Sequence, residues 1–233
     1  MELVEIRNRS DMDRIAYEYA PIIYMDKKEP FKIKKVGFVQ YSEDGARSLS
    51  FNRRFDFKNF DGAVKVLEYV YYLDYDIQHL YDLEHIWIYI DDEGRVVGAE
   101  GSYHGRFLNA MNRTFDGKVP KDEKNIIMYS QPGKHAFLSD PRLMYLYSEL
   151  YASCDRLAGI SGLDAPERFI KDINISESEN EKVVRYIRDK FSFVPSMEFE
   201  KVSISEDDYM LWEELSGKIP VFIREELSKI LGS

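Results

Sequence analysis

The chain has a single cysteine, Cys154. No disulfide can form within it, so a cytoplasmic, reducing location is the expectation. It has no long uncharged apolar run, which argues against a membrane-spanning helix. Its opening residues, MELVEIRNRSDMDR, mix both charge signs and contain no apolar segment, so no secretory leader is expected there. Basic residues are in deficit, 32 against 42 acidic ones, for a net charge of −10. Such a surface repels a phosphate backbone, and the short basic stretches KIKK and NRR read as the wet sides of strands. Nucleic acid is therefore not an expected partner. The sequence also lacks a phosphate-binding glycine loop, a dinucleotide glycine fingerprint, paired cysteines, internal repeats and low-complexity linkers.

Aromatic residues, by contrast, are plentiful. They make up 14% of the chain and include 17 tyrosines, more than a helical bundle would carry, which favours a pleated, β-rich interior. A length of 233 residues suits one main domain. Residues 1–140 read as a β-sandwich, and residues 141–233 as a mostly helical extension packed on it within the same domain. The expected fold class is β-rich α+β, an antiparallel β-sandwich core with appended C-terminal helices.

Local signals fill in that outline. Ser10 reads as the N-cap of a helix that ends before Pro21, and Pro21 and Pro30 bracket an extended segment. VGFVQYS, the turn EDG and ARSLSFNRRFDF read as a hairpin. VKVLEYVYYLDYD, EHIWIYI, RVVGAEGSYHG and NIIMYS read as further strands. After Pro141 the period lengthens: Leu143, Leu146, Tyr147, Leu150 and Leu157 fit one helical face. Ser178 with Glu181 and Ser205 with Asp208 resemble capping boxes, Pro220 suits the first turn of a last helix, and MEFEKVSI reads as one strand.

The stretch Asp76 to Trp87, DIQHLYDLEHIW, crowds metal-capable side chains into the entry of an apolar strand. The turn DDEG that follows fixes a register. Gly94 is its natural left-handed residue, which sets Asp91 opposite Arg95. Counting back, Trp87 faces Ala99 and His85 faces Gly101 on one face; Glu84 meets Ser102 and Asp82 meets His104 on the other. Opposed side chains have Cβ atoms about 5 Å apart, within joint reach of one ion or proton. A bend at Gln78–Leu80 would turn His79 toward the same side, with Asp76 and Asp74 upstream.

The four histidines, His79, His85, His104 and His135, all lie between positions 79 and 135. Bland readings compete with functional ones. His85, sharing a face with Trp87 and Tyr89, reads first as a core histidine, and His79, Asp82 and Glu84 can be a polar strand entry with surface ion pairs. Ser102 and His104 lack the strand-to-helix elbow of a serine nucleophile. Cys154 reads as buried, and YVYYLDY as core rather than a sugar-stacking platform.

The H-x-x-D-x-E pattern of His79, Asp82 and Glu84, followed by S-x-H-G at Ser102–Gly105, resembles the central motif of the necrosis-inducing-protein-like β-sandwich proteins. YAPIIYMDKKEPF is similar to the opening of a related vacuolar-protein-sorting family with the same sandwich. The likeness spans residues 19–140. It implies a divalent cation held by His79, Asp82 and Glu84 with Asp76 or Asp74, and His104 beside the ion. Those relatives are secreted, disulfide-stabilised toxins, so the one-cysteine chain does not inherit the toxin activity.

The expected function is a protein with one divalent metal, Zn, Mn, Fe or Mg. The ion would activate a bound water for hydrolysis, with His104, His135 and His85 as acid–base candidates. The alternative is a non-catalytic module whose cation-shaped cleft takes a small molecule, a glycan or a lipid headgroup. The enzyme needs an imidazole poised at an open coordination position; the module needs an exposed aromatic ledge beside the site.

Overall fold

The computed structural model describes residues 9–111, 121–122 and 124–232. Helix α1 (Arg9–Glu18) precedes strands β1 (Ile22–Asp26), β2 (Lys35–Tyr41), β3 (Ala63–Tyr75), β4 (His79–Asp91), β5 (Val96–Tyr103), β6 (Arg106–Asn109), β7 (Lys121–Asp122), β8 (Asn125–Ser130) and β9 (Phe137–Leu138). Then come helix α2 (Leu150–Cys154), strand β10 (Gly162–Leu163), helices α3 (Glu167–Ile170) and α4 (Glu177–Phe191), strands β11 (Phe199–Lys201) and β12 (Tyr209–Leu211), and helix α5 (Trp212–Leu231). The larger sheet runs β12-β2-β3-β4-β5-β6, with β10 beside the start of β4. The smaller runs β11-β1-β8-β7, with β9 on β8. The β-rich fold is as expected, but both sheets are mixed: β12 is parallel to β2, β10 to β4 and β1 to β8. Among the described residues no helix is long and apolar enough to cross a membrane.

The two faces of β4 serve different cores. Ile86, Ile88 and Ile90 join the main core with Met128 and Phe137 of the smaller sheet; Trp87 and Tyr89 join a second core with Phe55, Phe57 and Phe60. The segment carrying those phenylalanines is not the second arm of a hairpin. It folds back on itself through one isolated bridge, Arg47 to Arg54, and a few backbone hydrogen bonds such as Phe55 N–H to Ala46 O at 2.9 Å, while β2 pairs with β3. Its aromatics Phe55, Phe57 and Phe60 instead leave water by packing against Trp87 and Tyr89. The tyrosines of YVYYLDY are core as read, with Tyr69, Tyr71 and Tyr72 fully buried.

The C-terminal third differs in detail. Ser176 with Glu179 forms the capping box of α4, two residues ahead of the pattern read at Ser178. Ser205 opens a 3-10 turn without a side-chain cap. Pro220 lies inside α5, whose Trp212 and Leu215 pack where Gly37 of β2 has no side chain. The stretch after Pro141 is a 3-10 turn to Leu146 followed by the short α2, so the continuous helical face does not form, and Leu146 is 83% exposed.

The β4–β5 register begins as the turn demands. Gly94 has φ 79, Asp91 N–H donates to Arg95 O at 3.0 Å, and Ile90 pairs with Val96. A bulge between Tyr89 and Ile90 then shifts everything upstream by one residue: Tyr89 pairs with Gly98, Ile88 with Ala99 and Ile86 with Gly101. Trp87 is therefore not opposite Ala99, nor Asp82 opposite His104. The shift brings Gly98 beneath Phe60, whose ring stacks on Tyr89 at 3.8 Å. A Cβ at Gly98 would lie 2.0 Å from the Phe60 ring. Gly98→Ala should therefore cost about 1–3 kcal/mol by overpacking, read as a lowered urea midpoint at unchanged m. A wild-type midpoint would show that Phe60 does not close over this strand.

Candidate functional site

Three turns converge at one end of the sandwich. The β3–β4 turn is closed by Asp76 N–H to His79 O at 2.9 Å and tied to the turn after β8 by Ile77 N–H to Gly133 O at 2.7 Å. The β5–β6 turn carries His104 and Gly105 at φ 48 and 74, the left-handed pair of a two-residue hairpin loop. Of the four described non-glycine residues at positive φ, Tyr81, His104 and His135 are all here. Such conformations cost about 1–3 kcal/mol each and persist where surrounding contacts enforce them.

At the centre, His135 Nδ1 donates to Asp82 Oδ2 at 2.8 Å, and its Nε2 faces Glu29 Oε1 at 3.5 Å. Asp82 Oδ1 accepts from Leu83 N–H at 2.8 Å, and Glu29 Oε2 from Gly133 N–H at 2.7 Å. Burial disfavours the charged ring, but the hydrogen bond to Asp82 and the nearby Glu29 carboxylate outweigh it and hold the His135 pKa up to about 10. A second pair lies beside the first. Asp76 Oδ2 binds Lys134 Nζ at 2.7 Å while its Oδ1 accepts from Gln78 N–H at 2.6 Å, and Lys134 also reaches Gln78 Oε1 at 3.2 Å.

The remaining groups complete the cluster. Ser102 Oγ donates to Glu84, whose pKa is driven well above the ordinary range first by burial and then by Asp82. His104 Nε2 lies 2.9 Å from Gln131 Oε1, and burial lowers its pKa. His79 Nε2 is 3.8 Å from Asp76 Oδ1, and its Nδ1 finds no hydrogen-bond partner among the described residues, like the buried amide nitrogen of Gln131.

Of the residues expected from sequence, Asp76, His79, Asp82, Glu84, His104 and His135 thus share this end of the molecule, with exchanged partners: Asp82 meets His135, and His104 meets Gln131. His85 is on the opposite face of β4, edge-on to Phe51 and stacked on Trp87. Burial, then Arg168 and Arg53, push its pKa down to about 3. Asp74 is elsewhere too, paired with Lys34 at 2.8 Å. Cys154 is buried as read, its thiol donating to Pro132 O at 3.2 Å. Gln131 and Lys134 were visible in the turn SQPGK ahead of His135, but Glu29 carried no local pattern that could have flagged it.

The four residues expected to hold an ion, Asp76, His79, Asp82 and Glu84, do not form a ready-made donor group. Among the described residues no group of three or more His, Cys, Asp or Glu is arranged to hold a metal. The physical reason is occupancy by protein groups. Lys134 and the His135 imidazolium supply the positive charge, and backbone N–H groups take further lone pairs on Asp76 and Asp82.

An aromatic ledge borders the cluster. Tyr147 stacks on His104 with ring centroids 4.9 Å apart and 21° between planes, and Tyr103 meets His104 edge-on at 4.5 Å. Tyr145 and Leu146, just before Tyr147, are 59% and 83% exposed. Two concavities, of about 530 and 440 Å³, lie outside the cluster, at the β4–β5 turn and beside α5.

No protein-family model matches the chain, and no curated protein sequence does. Solved structures similar to it include NLPPya, a necrosis-inducing-like protein, in complex with glucosamine: 13% identity over 60% of this chain and 72% of that one, TM-score 0.35. A triple-substituted NLPPya variant gives 12% identity over 59% of this chain and 69% of that one, also at TM-score 0.35. At that level of superposition neither the fold nor the ligand of those proteins transfers to this chain.

A folded His135 keeps its proton up to about pH 10, whereas an unfolded histidine loses it near 6.5. Its stabilisation is therefore complete below about pH 6.5 and is lost as pH rises through about 10. His135→Gln should cost most at pH 6, about 3–5 kcal/mol for a broken buried pair, and progressively less toward pH 10. Urea midpoints of both proteins across that range test this; a pH-independent loss would mean that the ring is neutral in the fold.

Proposed function

We propose that the chain is a non-catalytic binding module whose aromatic ledge and ion-paired mouth take a small polar ligand, a glycan or a lipid headgroup. The observation that carries this is the Tyr147–His104 stack beside the Lys134–Asp76 pair. A ring face accepts the apolar side of a sugar or headgroup while a few placed polar groups fix its orientation. Lys134 and Gln78, already hydrogen-bonded to each other at 3.2 Å, are suited to that second part.

Charge narrows the ligand. Glu29, Asp76, Asp82 and Glu84 surround two cations, Lys134 and the His135 imidazolium. Even with Glu84 protonated, three carboxylates face two positive charges, so a ligand bearing an amine is favoured. Catalysis is less well supported. His135 stays charged near neutral pH and is 1% exposed, which suits neither proton uptake nor substrate contact, and His104 stands as a lone imidazole against an amide.

Nuclear magnetic resonance titrations with glucosamine, glucose and ethanolamine, with and without chelator, test the reading. The amine-bearing probes should bind more tightly than glucose, and chelator should change nothing. Tyr147→Ala should weaken binding by about 3- to 10-fold, the worth of one aromatic contact of about 0.5–1.5 kcal/mol. Unchanged affinity in Tyr147→Ala would overturn the proposal, as would turnover of phosphate, ester or glycoside substrates on adding Zn²⁺ or Mn²⁺.

A further inference from the structure

We infer that a second ligand site lies beside α5: a groove of about 440 Å³ that takes a small amphipathic monoanion, its apolar body on an aromatic floor and its carboxylate at a lysine rim. The floor is three mutually packed rings. Phe31 stacks on Tyr75 with centroids 5.8 Å apart and 19° between planes, and Phe191 tilts against both at 4.9 and 4.8 Å. The volume falls in the range of small-ligand clefts, roughly 300–1,000 Å³.

The rim sets the charge of the occupant. Three lysines, Lys32, Lys34 and Lys229, line the groove with two carboxylates, Asp74 and Glu226. Both carboxylates are engaged. Asp74 accepts from Lys34 at 2.8 Å and from Tyr72 Oη at 3.1 Å; Glu226 accepts from Tyr75 Oη at 2.7 Å and pairs with Lys229. Lys32 is exposed and pairs with no carboxylate among the described residues. The groove thus carries one surplus positive charge on a chain whose net charge is −10, directly above apolar ring surface. A neutral apolar ligand would leave that charge unused, and a cation would be repelled by it.

The groove and the acidic mouth are distinct sites of opposite preference. Phe31 stands between them: its ring meets His135 edge-on at 5.6 Å while also helping to form the groove floor. One side seeks positive charge and the other negative, so each has its own ligand, and the groove does not depend on what the mouth binds.

The full chain, titrated at low salt with benzoate, hexanoate and benzyl alcohol while the ring signals of Tyr75 and Phe191 are followed, tests the inference. Benzoate and hexanoate should move those signals, and benzyl alcohol should bind more weakly than benzoate. Lys32→Gln, a substitution at an exposed position, should weaken benzoate about threefold, as expected for one rim charge, and leave benzyl alcohol unchanged. Phe191→Leu should weaken all three, whereas Tyr147→Ala, beside the acidic mouth, should leave benzoate binding intact and so separates the two sites. Equal affinity for benzoate and benzyl alcohol, an unaffected Lys32→Gln protein, or ring signals that do not move would each overturn it.

Discussion

A charge taken out of water must be matched by another, and at one end of this sandwich the match is His135 against Asp82. That 2.8 Å contact, with Glu29 on the far side of the ring, lets a fully enclosed imidazolium persist. It joins β4 to the turn after β8, one in each sheet, so the mouth cannot form unless the sheets are packed. Lys134 with Asp76 repeats the device one step nearer solvent. Removing one member of either pair strands its partner in a low-dielectric setting, which is why such pairs define geometry more than they add stability.

The two faces of β4 show how far environment decides chemistry. His85 and His135 are both buried histidines. On the outer face His85 has aromatic neighbours and two nearby arginines, and it is held neutral with its pKa down at about 3. On the inner side His135 is held between carboxylates, with its pKa up at about 10. Neither titrates near pH 7.

The grouping of these side chains at one rim was legible in the chain because Asp76, His79, Asp82 and Glu84 sit on one turn and the strand it opens, which keeps neighbours in sequence close in space. The turn DDEG, the left-handed Gly94 and the inward and outward alternation of EHIWIYI all formed as the residues dictate. The partners of each side chain were not legible. A single bulge at Tyr89–Ile90 moved the register by one residue and cancelled the Asp82–His104 pairing, because the strand had to bring Gly98 under Phe60, a residue far away in sequence. Glu29 entered from the first strand-to-strand connection with no pattern of its own.

By itself the sequence determined a β-rich chain without disulfides, the strands that build it, and the grouping of acidic and imidazole side chains near one rim, since composition and alternation act locally. The tertiary structure alone decided which carboxylate holds which histidine, that Lys134 lies among the acids, that Tyr147 stacks on His104, and that Phe31 divides an acidic mouth from a lysine-rimmed groove. Those outcomes depend on distances between segments far apart in the chain, which follow from packing two sheets and their helices together and cannot be read from any one stretch.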